Sequence, residues 1–133
     1  MEVSNSQLRA KTMRFLSWQK HSGKGEVYMT WACRSNFSYE GSVVDGTRIF
    51  FGKHGQFQEY VAPEEYNQLI RTFYRRKIAI GASQDNPPKG SLGEWLQKNV
   101  TLTAIASYVA SILLKEGFAE RFPFYKIRII RRV

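Results

Sequence analysis

The sequence predicts an α+β fold: an N-terminal antiparallel β-meander joined to a helical C-terminal half that ends in a pair of strands. Three observations carry this. Residues 26–61 alternate apolar and polar side chains with a period of two, interrupted by turn dipeptides. From Ala62 the apolar period lengthens to that of a helix. The last segment returns to alternation around Ile127 and Ile129. A chain of 133 residues can bury one real core, and no linker divides it. It is therefore read as a single domain over 1–133, with a basic segment at 1–25, the sheet at 26–61 and the helical lobe at 62–133.

The elements follow in order. Residues 1–25 are polar and basic, and Ser22-Gly23-Lys24-Gly25 reads as a loop. Val27, Met29, Trp31 and Cys33 alternate with Tyr28, Thr30 and Ala32, as in a strand. Asp45-Gly46 lies between Ser42-Val43-Val44 and the run Thr47–Phe51 and predicts a type I′ hairpin turn, because both residues tolerate positive φ. Lys53-His54-Gly55 predicts a second reversal before a strand over 56–61. Pro63 suits a first helical turn, and Glu64 and Glu65 suit the positive end of its dipole. Tyr66, Leu69, Ile70 and Phe73 then share one face, and Lys77–Ile80 reads as a short strand. Pro87-Pro88 places a loop over 84–90. Ser91 and Glu94 form a capping-box pattern opening a helix with Leu92, Trp95 and Leu96 on one face, ending near Asn99. Thr101 or Thr103 is placed to cap the next helix, whose apolar stripe is Ile105, Val109, Ile112 and Leu113 and which Gly117 ends. In the final strand Tyr125, Ile127 and Ile129 face inward, and Lys126 and Arg128 outward.

With 43% hydrophobic and 14% aromatic residues the chain is not of the disordered class. Its longest apolar run, Val100–Leu114, is interrupted by Thr101, Thr103, Ser107 and Ser111 and is too short to cross a bilayer. No secretory leader is visible, and the single cysteine, Cys33, excludes an internal disulfide. These features point to the cytoplasm and away from a membrane partner. Twenty Lys and Arg stand against eleven Asp and Glu, a formal charge of +9 that favours a polyanionic partner over a merely solubilising surface. The excess is concentrated in three patches: Arg9, Lys11, Arg14, Lys20 and Lys24; Arg71, Arg75, Arg76 and Lys77; and Arg121, Lys126, Arg128, Arg131 and Arg132.

From residue 63 the order is helix, short strand, helix, tight turn, helix, glycine, hairpin. Ser91-Leu92-Gly93-Glu94-Trp95-Leu96, Val100-Thr101 and the run Ile112–Arg121 are the most specific parts of it. Over about half the chain this resembles the winged helix-turn-helix superfamily. The resemblance implies that residues 103–116 form the recognition helix, Phe118–Ile130 the wing strands and Phe122-Pro123-Phe124 an unusually apolar wing tip. It implies DNA as partner, duplex before single-stranded, in a regulatory or accessory role, with a homodimer as one possible assembly. The candidate nucleic-acid-binding residues are Arg75, Arg76, Lys77, Thr103, Ser107, Arg121, Lys126, Arg128, Arg131 and Arg132. The helix exposes Thr103, Ala104, Ser107, Ala110 and Ser111, with no Arg, Asn or Gln before Lys115 to grip a base edge. Phosphate contacts are therefore expected to dominate. Small exposed residues equally suit helix packing, so a protein–protein interaction module using the 103–116 helix is the second reading.

Catalysis is not indicated, and no catalytic residue, metal or cofactor is required by the sequence. His21, His54 and Cys33 do not complete a zinc site, and Ser22–Gly25 lacks the leading glycine of a P-loop. The strongest enzymatic candidate is a Mg-dependent nuclease through Glu40, Asp45 and Glu59. However, Glu59-Tyr60-Val61 lacks the lysine of a Glu-x-Lys pattern, and the turn accounts for Asp45. The aromatics Tyr28, Trp31, Phe37, Tyr39, Phe50, Phe51, Phe57 and Tyr60 crowd the meander. They read as core beneath the sheet, with a stacking platform near Lys24, Arg48 and Lys53 as the functional alternative. Phe50 and Phe51, being adjacent, are expected on opposite faces.

Overall fold

The computed structural model describes Tyr28–Met29 and residues 36–133. The basic segment 1–25, with His21, lies outside the described residues, as do Trp31 and Cys33. Strands β1 (Tyr28–Met29), β2 (Asn36–Ser42), β3 (Gly46–Phe51) and β4 (Phe57–Val61) form an antiparallel sheet in chain order. The chain continues through α1 (Pro63–Phe73), β5 (Lys77–Ala79), α2 (Leu92–Asn99), α3 (Ala106–Lys115), β6 (Ala119–Phe122) and β7 (Lys126–Ile129). The last three strands make a second antiparallel sheet in the order β5-β7-β6. The α+β class and the meander are thus as read from the sequence.

The first hairpin is closed differently from expectation. Ser42 pairs with Gly46, so the connection is Val43-Val44-Asp45 rather than a two-residue Asp45-Gly46 turn. Gly46 has φ 93°, but Asp45 is not among the residues of positive φ, so the turn is not type I′. Burial explains the difference. Val43 is fully buried and its N–H donates to Glu116 Oε1 at 2.9 Å, so the apolar residue is drawn into the loop and down onto the helical lobe.

In α1, Tyr66, Leu69, Ile70 and Phe73 are buried, and Glu65 accepts the Ala62 N–H at 2.8 Å. In α2, Ser91 Oγ accepts from the Glu94 N–H at 3.1 Å. The reciprocal half of the capping box is displaced by one residue: Glu94 Oε1 takes the Gly90 N–H at 2.8 Å, while the Ser91 N–H donates to Pro88 O. That backbone bond, with Lys98 at 3.6 Å, holds the Glu94 carboxyl below its usual range. Gly93 lets the start of α2 touch the end of β5. Its N–H donates to Ile80 O at 2.8 Å, and a Cβ there would collide with Gly81 O.

The third helix starts later than predicted. Its N-cap is Ile105, with no side-chain cap, so neither Thr101 nor Thr103 serves. The preceding turn is held instead by Gln84, which donates to Leu102 O at 2.7 Å and accepts from the Ala104 N–H at 2.9 Å. The end is as expected. Gly117 at φ 83° lets Phe118 N–H reach Leu113 O and Gly117 N–H reach Leu114 O, a Schellman closure with Phe118 and Leu113 both buried.

One apolar cluster joins the two sheets and three helices. It runs from Phe37, Ile49 and Val61 through Tyr66 and Ile70 to Leu96, Ile112 and Ile127. Phe50 and Phe51 do take opposite faces of β3: Phe51 is half-buried beside Tyr108, while Phe50 is buried on the other side.

Candidate nucleic-acid interface

The pairing of β5 with β7 unites two of the three basic patches. Lys77 stands opposite Arg128, and Arg128 stands opposite Glu120. One step along, Ala79, Lys126 and Phe122 are in register. Because side chains alternate, these six share the solvent face of the sheet, while Ile78 and Ile127 fill the core on the other. The face therefore carries three cations, one acid and one aromatic ring.

That ring organises the charge. Lys77 Nζ and the Arg128 guanidinium each lie 4.8 Å from the Phe122 centroid, one on β5 and the other on β7. Arg128 also meets Glu120 at 4.0 Å, which offsets only one of the cations. A second group stands at the end of the sheet, where Tyr74 bridges to Ile129. Arg132 and Arg75 both lie over the Tyr74 ring, at 4.4 and 5.5 Å. Arg75 reaches this position with φ 64°, its N–H donating to Ile129 O at 2.8 Å.

The remaining predicted site residues are distributed otherwise. Arg76 turns back to the end of α1, donating to Thr72 O at 3.3 Å over the Phe73 ring. Arg121 is exposed on the outer strand β6, opposite Ile127. Arg131 serves the fold: it donates to Glu116 O at 3.0 Å and lies 4.2 Å from the Phe118 centroid, at the negative end of α3. Thr103 and Ser107 are half-buried, with their backbone groups bonded locally. The Thr103 N–H meets Thr101 Oγ1, and the Ser107 carbonyl accepts from Ser111.

The expected exposed face of the 103–116 helix is also corrected. Ala110 is fully buried, Ser107 and Ser111 are half-buried, and within Ala106–Lys115 only Lys115 is exposed. The meander meets α3 on another side, at Tyr108 and Glu116. Tyr108 sits between Phe37 and Phe51, with centroids 5.2 and 5.0 Å away, and Glu116 accepts from Tyr39 Oη at 2.7 Å. The small residues of α3 permit close packing within the chain.

The carboxylates of the nuclease reading do not converge. Glu40 pairs with Arg48, and Glu59 with Ile49, so they lie on opposite faces of the meander. Asp45 is turned towards Ser42. Among the described residues no cluster of three metal-ligating side chains occurs.

Sequence reasoning identified the cations but not the rings beneath them, Phe122 and Tyr74. The pairing of β5 and β6 on either side of β7 brings Lys77 to Phe122, and the bridge from Tyr74 to Ile129 brings Arg132 to Tyr74. Comparison with protein-family models, curated proteins and solved structures finds no match.

Proposed function

We propose that this chain binds nucleic acid, duplex DNA before other forms, in a regulatory or accessory role, with phosphates held on the outer face of the β5-β7-β6 sheet. The element order from α1 onward and the strand order β5-β7-β6 support a winged helix-turn-helix-like lobe for this role. The observation that carries the reading is the placement of Lys77 directly opposite Arg128, with Lys126 beside them. Like charges facing each other across two strands destabilise a sheet. A polyanion laid along the strands supplies the missing countercharge. In this reading the outer face of the sheet, rather than α3, makes the contact, and binding depends on charge and shape more than on base sequence.

Electrophoretic mobility shifts over a range of salt, with duplex DNA, single-stranded DNA and RNA, test the proposal. If Lys77, Lys126, Arg128, Arg75 and Arg132 each neutralise one phosphate, log K falls against log salt with a slope of about −4 to −5, and a fourfold rise in salt weakens binding by about 500-fold. Lys126→Glu lowers the magnitude of that slope by about 1. Affinity independent of salt overturns the proposal.

A further inference from the structure

The hairpin joining β6 to β7 carries two aromatic side chains that lie largely in solvent. Phe124 is 88% exposed, the highest value among the described large apolar residues, and Tyr125 is 55% exposed. Both hold left-handed backbone, at φ 66° and 57°. Glycine or asparagine takes such a turn with less steric cost, so turn geometry does not call for rings here. The tip is nevertheless held firmly. Pro123 restricts it on one side, and Ile80 N–H donates to Tyr125 O at 2.9 Å on the other. Arg121, Phe122, Pro123, Phe124 and Tyr125 line a shallow open concavity of about 500 Å³. The exposed cation Lys126 begins the strand leaving the tip, and Arg128 and Lys77 follow around Phe122.

From this juxtaposition of strained, exposed rings and a cationic strand we infer that the hairpin tip is a wedge for unstacked bases. Phe124, with Tyr125 beside it, stacks on a base exposed at a bulge or duplex interruption, while Lys126 and its neighbours hold the flanking phosphates. The inference rests on the nucleic-acid reading above and names its preferred substrate. Charge complementarity selects this occupant: a bulged nucleic acid offers a polyanionic backbone and unpaired π-faces together. A rigid tip loses little freedom on binding, so the stacking contact is not spent on ordering the hairpin.

The test uses the full chain and two DNA duplexes of the same sequence, one fully paired and one with a bulge containing a fluorescent adenine analogue. The bulged duplex is expected to bind between about fivefold and about 150-fold more tightly, the span one stacked base supplies, with quenching of the analogue. Phe124→Ala abolishes the preference and the quenching while affinity for the paired duplex stays within about twofold. Phe124→Asn, which suits the φ of the turn, does the same, and Phe124→Trp keeps both signals. Equal affinity of the wild type for the two duplexes overturns the wedge but leaves the phosphate-binding reading standing. Absence of binding to either duplex at low salt removes both. If Phe124→Ala instead abolishes binding to phosphatidylserine vesicles with the bulge preference intact, the tip is a lipid contact and the inference fails.

Discussion

Tyr66 places its phenol in the core, where the hydroxyl meets Thr47 Oγ1 at 2.7 Å. Both residues are fully buried, and burial pushes the phenol well above its ordinary range. A proton held more tightly in the folded state contributes full stability below the unfolded value, about pH 10, and that contribution is lost as pH rises beyond it. Unfolding by urea across this range should therefore show stability falling by up to about 1.4 kcal/mol per pH unit from this residue. Tyr66→Phe should cost about 1–2 kcal/mol at neutral pH, because Thr47 is left buried without its partner, and should flatten the alkaline decline. Parallel pH curves for wild type and variant would refute the assignment. Tyr66 was legible as a core position from its spacing with Leu69, Ile70 and Phe73. Its hydroxyl partner was not, since Thr47 belongs to another element and only the packing of α1 on β3 joins them.

Among the elements, the three-stranded sheet sets stability against binding. Lys77 faces Arg128 in register, and the opposite-charge pair that Lys77→Glu creates should raise stability by about 0.2–1 kcal/mol. The same change should weaken DNA binding and lower the magnitude of the salt slope, since a phosphate contact is replaced by repulsion. Thermal melting and mobility shifts on one preparation check both signs, and a variant that loses stability and binding together would count against the proposed interface. Arg131→Glu is a poorer probe, because it removes the bond to Glu116 O and places an acid at the negative end of α3. The helix faces and the burial of Ile127 and Ile129 were readable because period and terminal glycine are local signals, whereas Tyr125, expected inward, lies in the hairpin turn and is exposed. The first turn was misread for a tertiary reason: Val43 leaves its strand to reach Glu116, seventy-three residues away.

Across the whole molecule, Glu116 ties the meander to the helical lobe. One carboxylate accepts the Tyr39 hydroxyl at 2.7 Å and the Val43 N–H at 2.9 Å, beside a core shared by both halves. Glu116→Ala should therefore cost about 2–3 kcal/mol in chemical denaturation while unfolding remains one transition by far-UV and aromatic signals. A loss below about 0.5 kcal/mol, or two separate transitions, would show that the halves are not coupled through this contact. None of this docking was legible in the sequence. Periodicity revealed that α3 has an apolar stripe, but not that Tyr108 would pack between two rings of the meander. The candidate site was legible as charge, and illegible as a surface until strands distant in sequence were paired.

The clamping of Tyr108 between Phe37 and Phe51 has a consequence for selectivity. With Tyr108 held there, α3 keeps on its outer side the half-buried Ser107 and Ser111 and the exposed Lys115, with no Arg, Asn or Gln to grip a base edge. Exchanging one pair for another in a bound duplex should then leave affinity nearly unchanged, and sites should differ by how easily their DNA bends or opens.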